Sequence, residues 1–541
     1  MQTLPTLGPK QGLIRLVSAF AAGASTALAF APYGFWIIYP IALGLSLFLG
    51  KNLSPKQAFN HWLCFGFGSF VFGISWVHVS IDTFGGMPLI VSMSLMALLA
   101  LYLALYPALA GYLMARLESH KNTSIGKLSN LALFPALWVL TEWLRGWVMT
   151  GFPWLWAGYS QTQGPLSALA SVIGALGLSF VIALVAASLA YACARPKSLS
   201  QLLPCMVILA VLALCTWLTP KLEQTSPSGE TVKVALVQGN IAQSMKWQPD
   251  ALWPTMLKYM DLTRTNFDAE IIIWPEAAIP APESLVGDFL ANANQVANMH
   301  DSAIITGIIS HRNKDFYNSL IVLGNHNEAV QESGDYISAN IQADVGVGVG
   351  VGVEPEANKG RNEFKKHHLL PIGEFVPFGD LLRPIAPLFN LPMSSFTRGD
   401  YLQPNLNAVG YQISPAICYE IVFPEQVRAN VNDDTDMLLT VSNDAWFGSS
   451  NGPLQHMEIA QMRAIEMGRP LLRGTNNGVT AVVDHLGVIQ AKLPQFETGV
   501  LRAEVVLVTG QTWFHRIGQA PLLWLSALIA LGAAIIRRQG R

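Results

Sequence analysis

Hydrophobic and polar positions divide this chain into two unlike parts. Up to position 219 the apolar residues come in long, nearly unbroken runs, at 13–31, 35–50, 59–79, 89–115, 131–149, 166–194 and 202–218. One more run follows at 521–536. Each is close to the roughly 20 residues a helix needs to cross a bilayer, so the pattern predicts a membrane α-helical bundle of about eight spans. The Trp- and Gly-rich stretch 145–164 reads as a re-entrant or interfacial loop. Between 220 and 519 the pattern changes. Short β-branched runs at 231–237, 270–274, 303–309, 319–323, 413–417, 437–441, 479–483 and 500–506 are interspersed with mixed stretches at 251–267, 283–300 and 454–467. Strands mixed with amphipathic helices predict an α/β domain. Runs this continuous in Val, Ile and Leu predict strands buried on both faces. The expected division is a bundle over 1–219, an extramembrane domain over 220–519, and a last span with its tail over 520–541.

Composition agrees with that division. Of 541 residues, 51% are hydrophobic and 13% charged, which is too apolar for an ordinary soluble chain. The net charge of −2 gives no global basic field and argues against nucleic acid as a partner. Lys10 and Arg15 before an Ala27-Leu28-Ala29 sequence resemble a signal peptide. More spans follow at once, so an uncleaved first helix is expected. Basic residues of the short loops collect on one side: Lys10, Arg15, Lys51, Lys56, Arg116, Lys121, Lys127, Arg195, Lys197, Arg537, Arg538 and Arg541. The opposite loops carry only Arg145. The basic side is expected in the cytoplasm. Both termini then lie inside and 220–519 outside, which in a Gram-negative cell is the periplasm. Glu142 and Arg145 stand three apart on one helical face and are expected to pair. These two, with His61, His78 and Asp82, read as structural.

The alternating Val-Gly stretch at 344–353 reads as an expanded loop, because Gly-rich strands specify register poorly and no Gly-Lys-Ser/Thr follows. Cys418 is the one cysteine of the exported segment; Cys64, Cys193, Cys205 and Cys215 sit in predicted spans. It cannot form an internal disulfide in an oxidising compartment. It closes the strand-like Tyr411-Gln-Ile-Ser-Pro-Ala-Ile-Cys418, and Tyr419-Glu420 follow. One reading is a small buried hydrophobe; the other is a nucleophile on a rigid edge. Ile271-Ile-Ile-Trp-Pro-Glu276 ends a buried strand in a carboxylate, which is either a capping acid or a desolvated base. Phe364-Lys-Lys-His-His-Leu-Leu-Pro-Ile-Gly-Glu374 carries charges into an apolar, rigid stretch. A lysine there is either part of a solvated turn or an oxyanion partner. Together they suit acyl transfer: a carboxylate takes the thiol proton, the thiolate attacks a carbonyl, and an ammonium with the N–H after the cysteine holds the oxyanion. The remaining histidines, His456 included, show no metal-ligand spacing.

The order Glu276, Lys366, Cys418 resembles the nitrilase superfamily, whose domain is an αββα sandwich. Placed before the last of eight spans, such a domain is similar to the apolipoprotein N-acyltransferases. The matching motifs are Gln238-Gly-Asn-Ile241 with Lys246-Trp247, Trp274-Pro-Glu276, Tyr317-Asn-Ser319, Lys366-His-His-Leu-Leu-Pro-Ile-Gly-Glu374, Cys418-Tyr-Glu420, Ser442-Asn-Asp-Ala-Trp-Phe-Gly448 and Gly468-Arg-Pro-Leu-Leu-Arg-Gly-Thr-Asn-Asn-Gly478. The resemblance implies Glu276 as general base, Lys366 as oxyanion lysine with Lys365 its rival by adjacency, and Cys418 as nucleophile. It implies Glu374 as a second acid holding Lys366 or the amine, and Tyr419 and Glu420 as pocket residues. Trp247 and Trp446 would stand at the entrance, and Asn318 and Arg469 would support the site. Phe364 and Ile372 depart from the family pattern but keep bulk. The reaction implied is ping-pong: an acyl chain passes from a phospholipid, typically phosphatidylethanolamine, to Cys418, and then to the α-amine of the diacylglyceryl cysteine of an apolipoprotein. No metal or diffusible cofactor is implied, and a monomer is expected.

The apolar stretch 381–396 is expected to dip toward lipid at the acyl entrance; an ordinary core loop is the other reading. A membrane-tethered amidase of the nitrilase type fits the trio but leaves the spans unused. A transporter would be expected to show paired half repeats, and none is visible between the early and later spans.

Overall fold

The computed structural model describes residues 9–118, 124–194, 199–222, 224–312, 314–325, 362–371, 373–375 and 396–538. The Val-Gly run, Ile372 and 381–395 lie outside the described residues.

Each of the eight predicted runs carries a helix: Pro9–Ser25, Ile38–Leu49, Pro55–Gly73, Leu89–Leu117, Ser124–Arg145, Ala170–Cys193, Leu199–Leu218 and Ala520–Arg538. Among the described residues, five helices are long and apolar enough to cross a membrane on that ground alone. A sixth is counted if Pro55–Gly73 and Val77–Phe84, bent by 56°, form one span. Their outer faces expose Ile14, Ile41, Leu45, Leu98, Leu105 and Leu528. A soluble protein would hide such a surface, but a lipid-facing one keeps it. Of the two readings of the stretch 145–164, re-entrant or interfacial, the inward fold agrees with the first. The stretch folds inward as short 3-10 turns, and Trp154, Trp156 and Tyr159 are buried. Arg145 holds it there by donating to the carbonyls of Phe152 and Trp154, and Glu142 lies 3.9 Å away as predicted.

The second part is a two-sheet sandwich. The first sheet contains β1 (Thr225–Gln238), β2 (Ile271–Ile273), β3 (Ala303–Arg312), β4 (Asp315–Leu323) and β5 (Glu363–Lys365). The second contains β6 (Leu406–Ala408), β7 (Tyr411–Ile417), β8 (Met437–Ser442), β9 (Leu471–Thr475), β10 (Ala481–Val483) and β11 (Ile489–Lys492). β12 (Gly499–Gly510) returns to β1, giving orders β12-β1-β2-β3-β4-β5 and β11-β10-β9-β8-β7-β6. Val234, Ile273, Ile305, Ile417, Leu439 and Leu472 pack between the sheets. The outer face of the first sheet packs on helices Pro249–Arg264 and Gly287–Met299 through Tyr259, Trp274 and Leu290. The αββα expectation therefore holds. β5, β6, β9 and β11 had no counterpart among the predicted runs; three are only three or four residues long, and β9 is interrupted by Arg473 and Gly474.

Helix Gly452–Met467 covers the second sheet and is buried over most of its length against the bundle. Its polar side chains meet polar groups at breaks in the membrane helices. Gln455 accepts from the indoles of Trp76 and Trp154 and donates to the Gly73 carbonyl. Glu458 accepts from the N–H of Ala31, and Glu466 from that of Ala175. Arg463 donates to Tyr159 and pairs with Glu466. Buried polar groups need such partners, so the two parts are joined by specific bonds as well as by apolar contact.

Candidate active site

The site forms where parallel strands end. β1, β2 and β3 run parallel in one sheet, and β7, β8 and β9 in the other. The residues just past β2, β7, β8 and β9 are Trp274-Pro-Glu276, Cys418, Asn443-Asp444 and Asn476. Pro415 is tolerated within β7 because β6 flanks that strand only as far as Ile413.

Cys418 leaves β7 with φ +53°, a left-handed backbone rare for a residue with a side chain. The surrounding bonds hold it so. Glu420 is fully buried and accepts from the N–H groups of Ile417, His367 and His368 and from the Gln426 amide. That carboxylate ties the lysine loop to the turn carrying Cys418. Behind Cys418, its carbonyl lies 3.1 Å from His456 Nε2. Arg473 donates to His456 Nδ1 at 3.0 Å and to Asp444 at 2.8 Å. The pattern assigns the ring proton to Nε2. Burial, with the Arg473 charge, lowers the His456 pKa and keeps the ring neutral. Ser442 donates to Asp444 at 2.6 Å and stands 3.3 Å from the Cys418 sulfur. Gly478 must be glycine there, since a Cβ would fall 2.2 Å from Asp444 Oδ2.

Glu276, Lys366, Glu374 and Asn318 form one buried cluster. Lys366 Nζ lies 2.8 Å from Glu374 and 3.4 Å from Glu276. Asn318 donates to both carboxylates, at 2.9 and 2.8 Å. The second oxygen of Glu276 accepts from the Asn443 N–H at 2.9 Å. Gly307 lets Glu276 sit this close to β3, because a Cβ there would meet the Ala277 nitrogen at 2.4 Å. Burial disfavours the Glu276 charge, but Lys366, Asn318 and Lys246 outweigh it and hold the carboxyl below its ordinary range. Burial also opposes the Lys366 ammonium, and Glu374 and Glu276 more than offset that, raising it. Burial and the facing Glu276 carboxylate push the Cys418 thiol well up. The resting site is thus a protonated thiol facing an ionised carboxylate, which suits base-assisted attack.

Most of the predicted residues come together. Lys366, not Lys365, enters the cluster; Lys365 lies over the Tyr317 ring. Tyr419 is buried beside the nucleophile and donates to the Gly151 carbonyl in the bundle. Trp446 packs its ring on Phe84 and accepts from Ser80 through its carbonyl, at the bent span. Trp247 is half-buried next to Lys246. Arg469 is not brought to the site. It donates to the carbonyls of Thr435, Gly468 and Gly510, before β9 begins, at the opposite end of the strands. The arginine behind Cys418 is Arg473, held on Asp444 and His456. Asp444, Arg473, His456 and Lys246 were not among the residues expected here, although all but His456 lie in the motifs that carried the resemblance. Asn476 and the Gln238-Gly-Asn-Ile241 motif line the same floor: Asn476 bonds Asn240, Ile241 and Asn443.

Comparison with known proteins gives two family matches. Residues 22–188 match the apolipoprotein N-acyltransferase N-terminal domain, and residues 233–514 match carbon-nitrogen hydrolase. An apolipoprotein N-acyltransferase of Shewanella oneidensis is 66% identical over 97% of this chain and 96% of its own. One of Vibrio vulnificus is 48% identical over 96% of each. Among solved structures, XC1258 of Xanthomonas campestris, a CN-hydrolase superfamily protein, is 17% identical with a TM-score of 0.34, covering 55% of this chain and 97% of that one.

Proposed function

The chain belongs to the apolipoprotein N-acyltransferase family, whose enzymes N-acylate lipoproteins, and from that premise we propose that it moves an acyl chain from a membrane phospholipid through Cys418. In the first step Glu276 takes the thiol proton as the sulfur attacks the ester carbonyl of the phospholipid. Lys366 stabilises the oxyanion. The C–O bond breaks, and the lysophospholipid oxygen leaves with the proton held by Glu276. In the second step the α-amine of a diacylglyceryl cysteine attacks the thioester and Glu276 accepts its proton. The C–S bond breaks, and the proton returns to sulfur. Glu374 and Asn318 hold Lys366 and Glu276 in register, and Trp247 and Trp446 line the approach from the membrane.

The observation that carries this reading is the convergence of buried Glu276, Lys366, Glu374 and Asn318, joined by ion pairs and hydrogen bonds of 2.8–3.4 Å, on the side chain of Cys418. It is supported by the bonds between helix Gly452–Met467 and the bundle, which keep that site against the spans, where both substrates would be anchored. The donor is phosphatidylethanolamine, the enzyme acts as a monomer, and it sits in the bacterial inner membrane. Residues 220–519 face the periplasm and both termini the cytoplasm, following the one-sided Lys and Arg distribution. Intact-mass analysis of the purified enzyme with phosphatidylethanolamine tests the chemistry. An acyl adduct is expected that hydroxylamine removes, that a diacylglyceryl peptide discharges, and that Cys418→Ala lacks. A folded enzyme that forms no adduct would favour hydrolysis of small amides instead.

A further inference from the structure

Lys246 stands outside the Glu276–Lys366–Cys418 trio but inside the same site. It ends the short helix Gln243–Lys246 and is 3% exposed, although its neighbour Met245 is 52% exposed. Its Nζ donates to the main-chain carbonyl of Glu276 at 3.0 Å, its one hydrogen-bond partner among the described residues. Burying an ammonium on a single carbonyl carries a desolvation cost that one hydrogen bond to a neutral group does not repay. The charge itself must therefore be useful. Glu276 and Glu374, both negative, and Lys366 and Lys246, both positive, share this side of the pocket with Cys418, and Asp444, paired with Arg473, also faces the thiol. Without Lys246, two carboxylates would share one ammonium.

We propose that Lys246 is a further positioning residue of the acyl-transfer site, fixing the Glu276 turn and supplying a positive charge to the Glu276–Cys418 pair. Its charge helps hold the Glu276 carboxyl low. Burial, against the pull of Glu276 and Cys418, pushes Lys246 itself down to about 8. Both ends of the pH range should therefore report on it. At low pH, loss of Lys246 lets Glu276 keep its proton longer. Above about pH 8, the native lysine loses its charge, whereas an arginine would not.

The inference rests on the thioester reading given above. The test is single-turnover thioester formation by the full-length enzyme with phosphatidylethanolamine, followed by intact mass from pH 3 to 9. Lys246→Gln keeps a donor and removes the charge. Its acid limb should move to higher pH by about one unit, with a rate roughly tenfold slower on the acid side of that limb, the effect of about one pKa unit on the base. Lys246→Arg should keep the native acid limb and lose the fall near pH 8. A wild-type profile in Lys246→Gln, or an equal loss at every pH in both variants, would overturn the proposal. Failure of the wild-type enzyme to form any thioester would instead remove the reading on which it rests.

Discussion

The carboxylate of Glu420 accepts the main-chain N–H of His367 at 2.8 Å, and so binds the residue after the active-site lysine to the turn that carries the nucleophile. Glu420→Ala would leave that N–H and those of His368 and Ile417 without an acceptor. Each orphaned group costs about 1–3 kcal/mol, so the variant should unfold several kcal/mol more easily. Thermal unfolding in detergent, with thioester formation measured below the transition, checks this. Unchanged stability would mean the three amides find other partners.

Asn318 bridges Glu276 and Glu374 while Lys366 lies between them. Asn318→Ala should leave the fold intact but slow acylation by roughly 10- to 100-fold, the effect of about 1.4–2.8 kcal/mol on a barrier. Single-turnover rates would show it, and a rate within twofold of wild type would remove Asn318 from the machinery.

Gly307 leaves no room for a Cβ beside Glu276, whose Cα would lie 2.8 Å from it. Gly307→Ala should displace the base and reduce acylation about 100-fold, as misplacements near 1 Å do. Near-native activity would show that β3 can yield at no cost.

Glu458 is buried, with the Ala31 N–H as its partner, and burial pushes its pKa up to about 8. An unfolded glutamate titrates near ~4.3. Between these values the folded state keeps a proton that the unfolded state releases, so stability falls as pH rises through that window. Glu458→Gln keeps the acceptor and removes the titration. Its Tm advantage over wild type should be small at pH 5 and large at pH 8. Equal differences at both values would contradict the assignment.

The apolar runs made the bundle and most of the sandwich legible, because burial of Ile271–Ile273 or Met437–Ser442 is written directly in their side chains. Glu276 and Cys418 were visible because each follows such a run, and Lys366 because it leads into a rigid Pro-Gly frame. Lys246, His456 and Arg473 were not, because their burial depends on partners far along the chain. Arg473 sits inside β9, where an arginine argues against a strand until Asp444 is known to face it. The stretch 145–164 admits two readings for a related reason: its tryptophans suit an interface by composition, but Gln455, 301 residues from Trp154, draws that one inward. Arg469 was misplaced because motif adjacency says nothing about which end of a strand a residue occupies.

Helix Gly452–Met467 has a consequence for how the molecule is made. During synthesis the spans emerge first, and the Ala31 N–H, the Trp76 and Trp154 indoles and the Ala175 N–H await partners made at least 291 residues later. Until the ribosome has passed Glu466, these groups of the bundle stand without the partners that satisfy them. Assembly is therefore a single late event in which half of the protein completes the other.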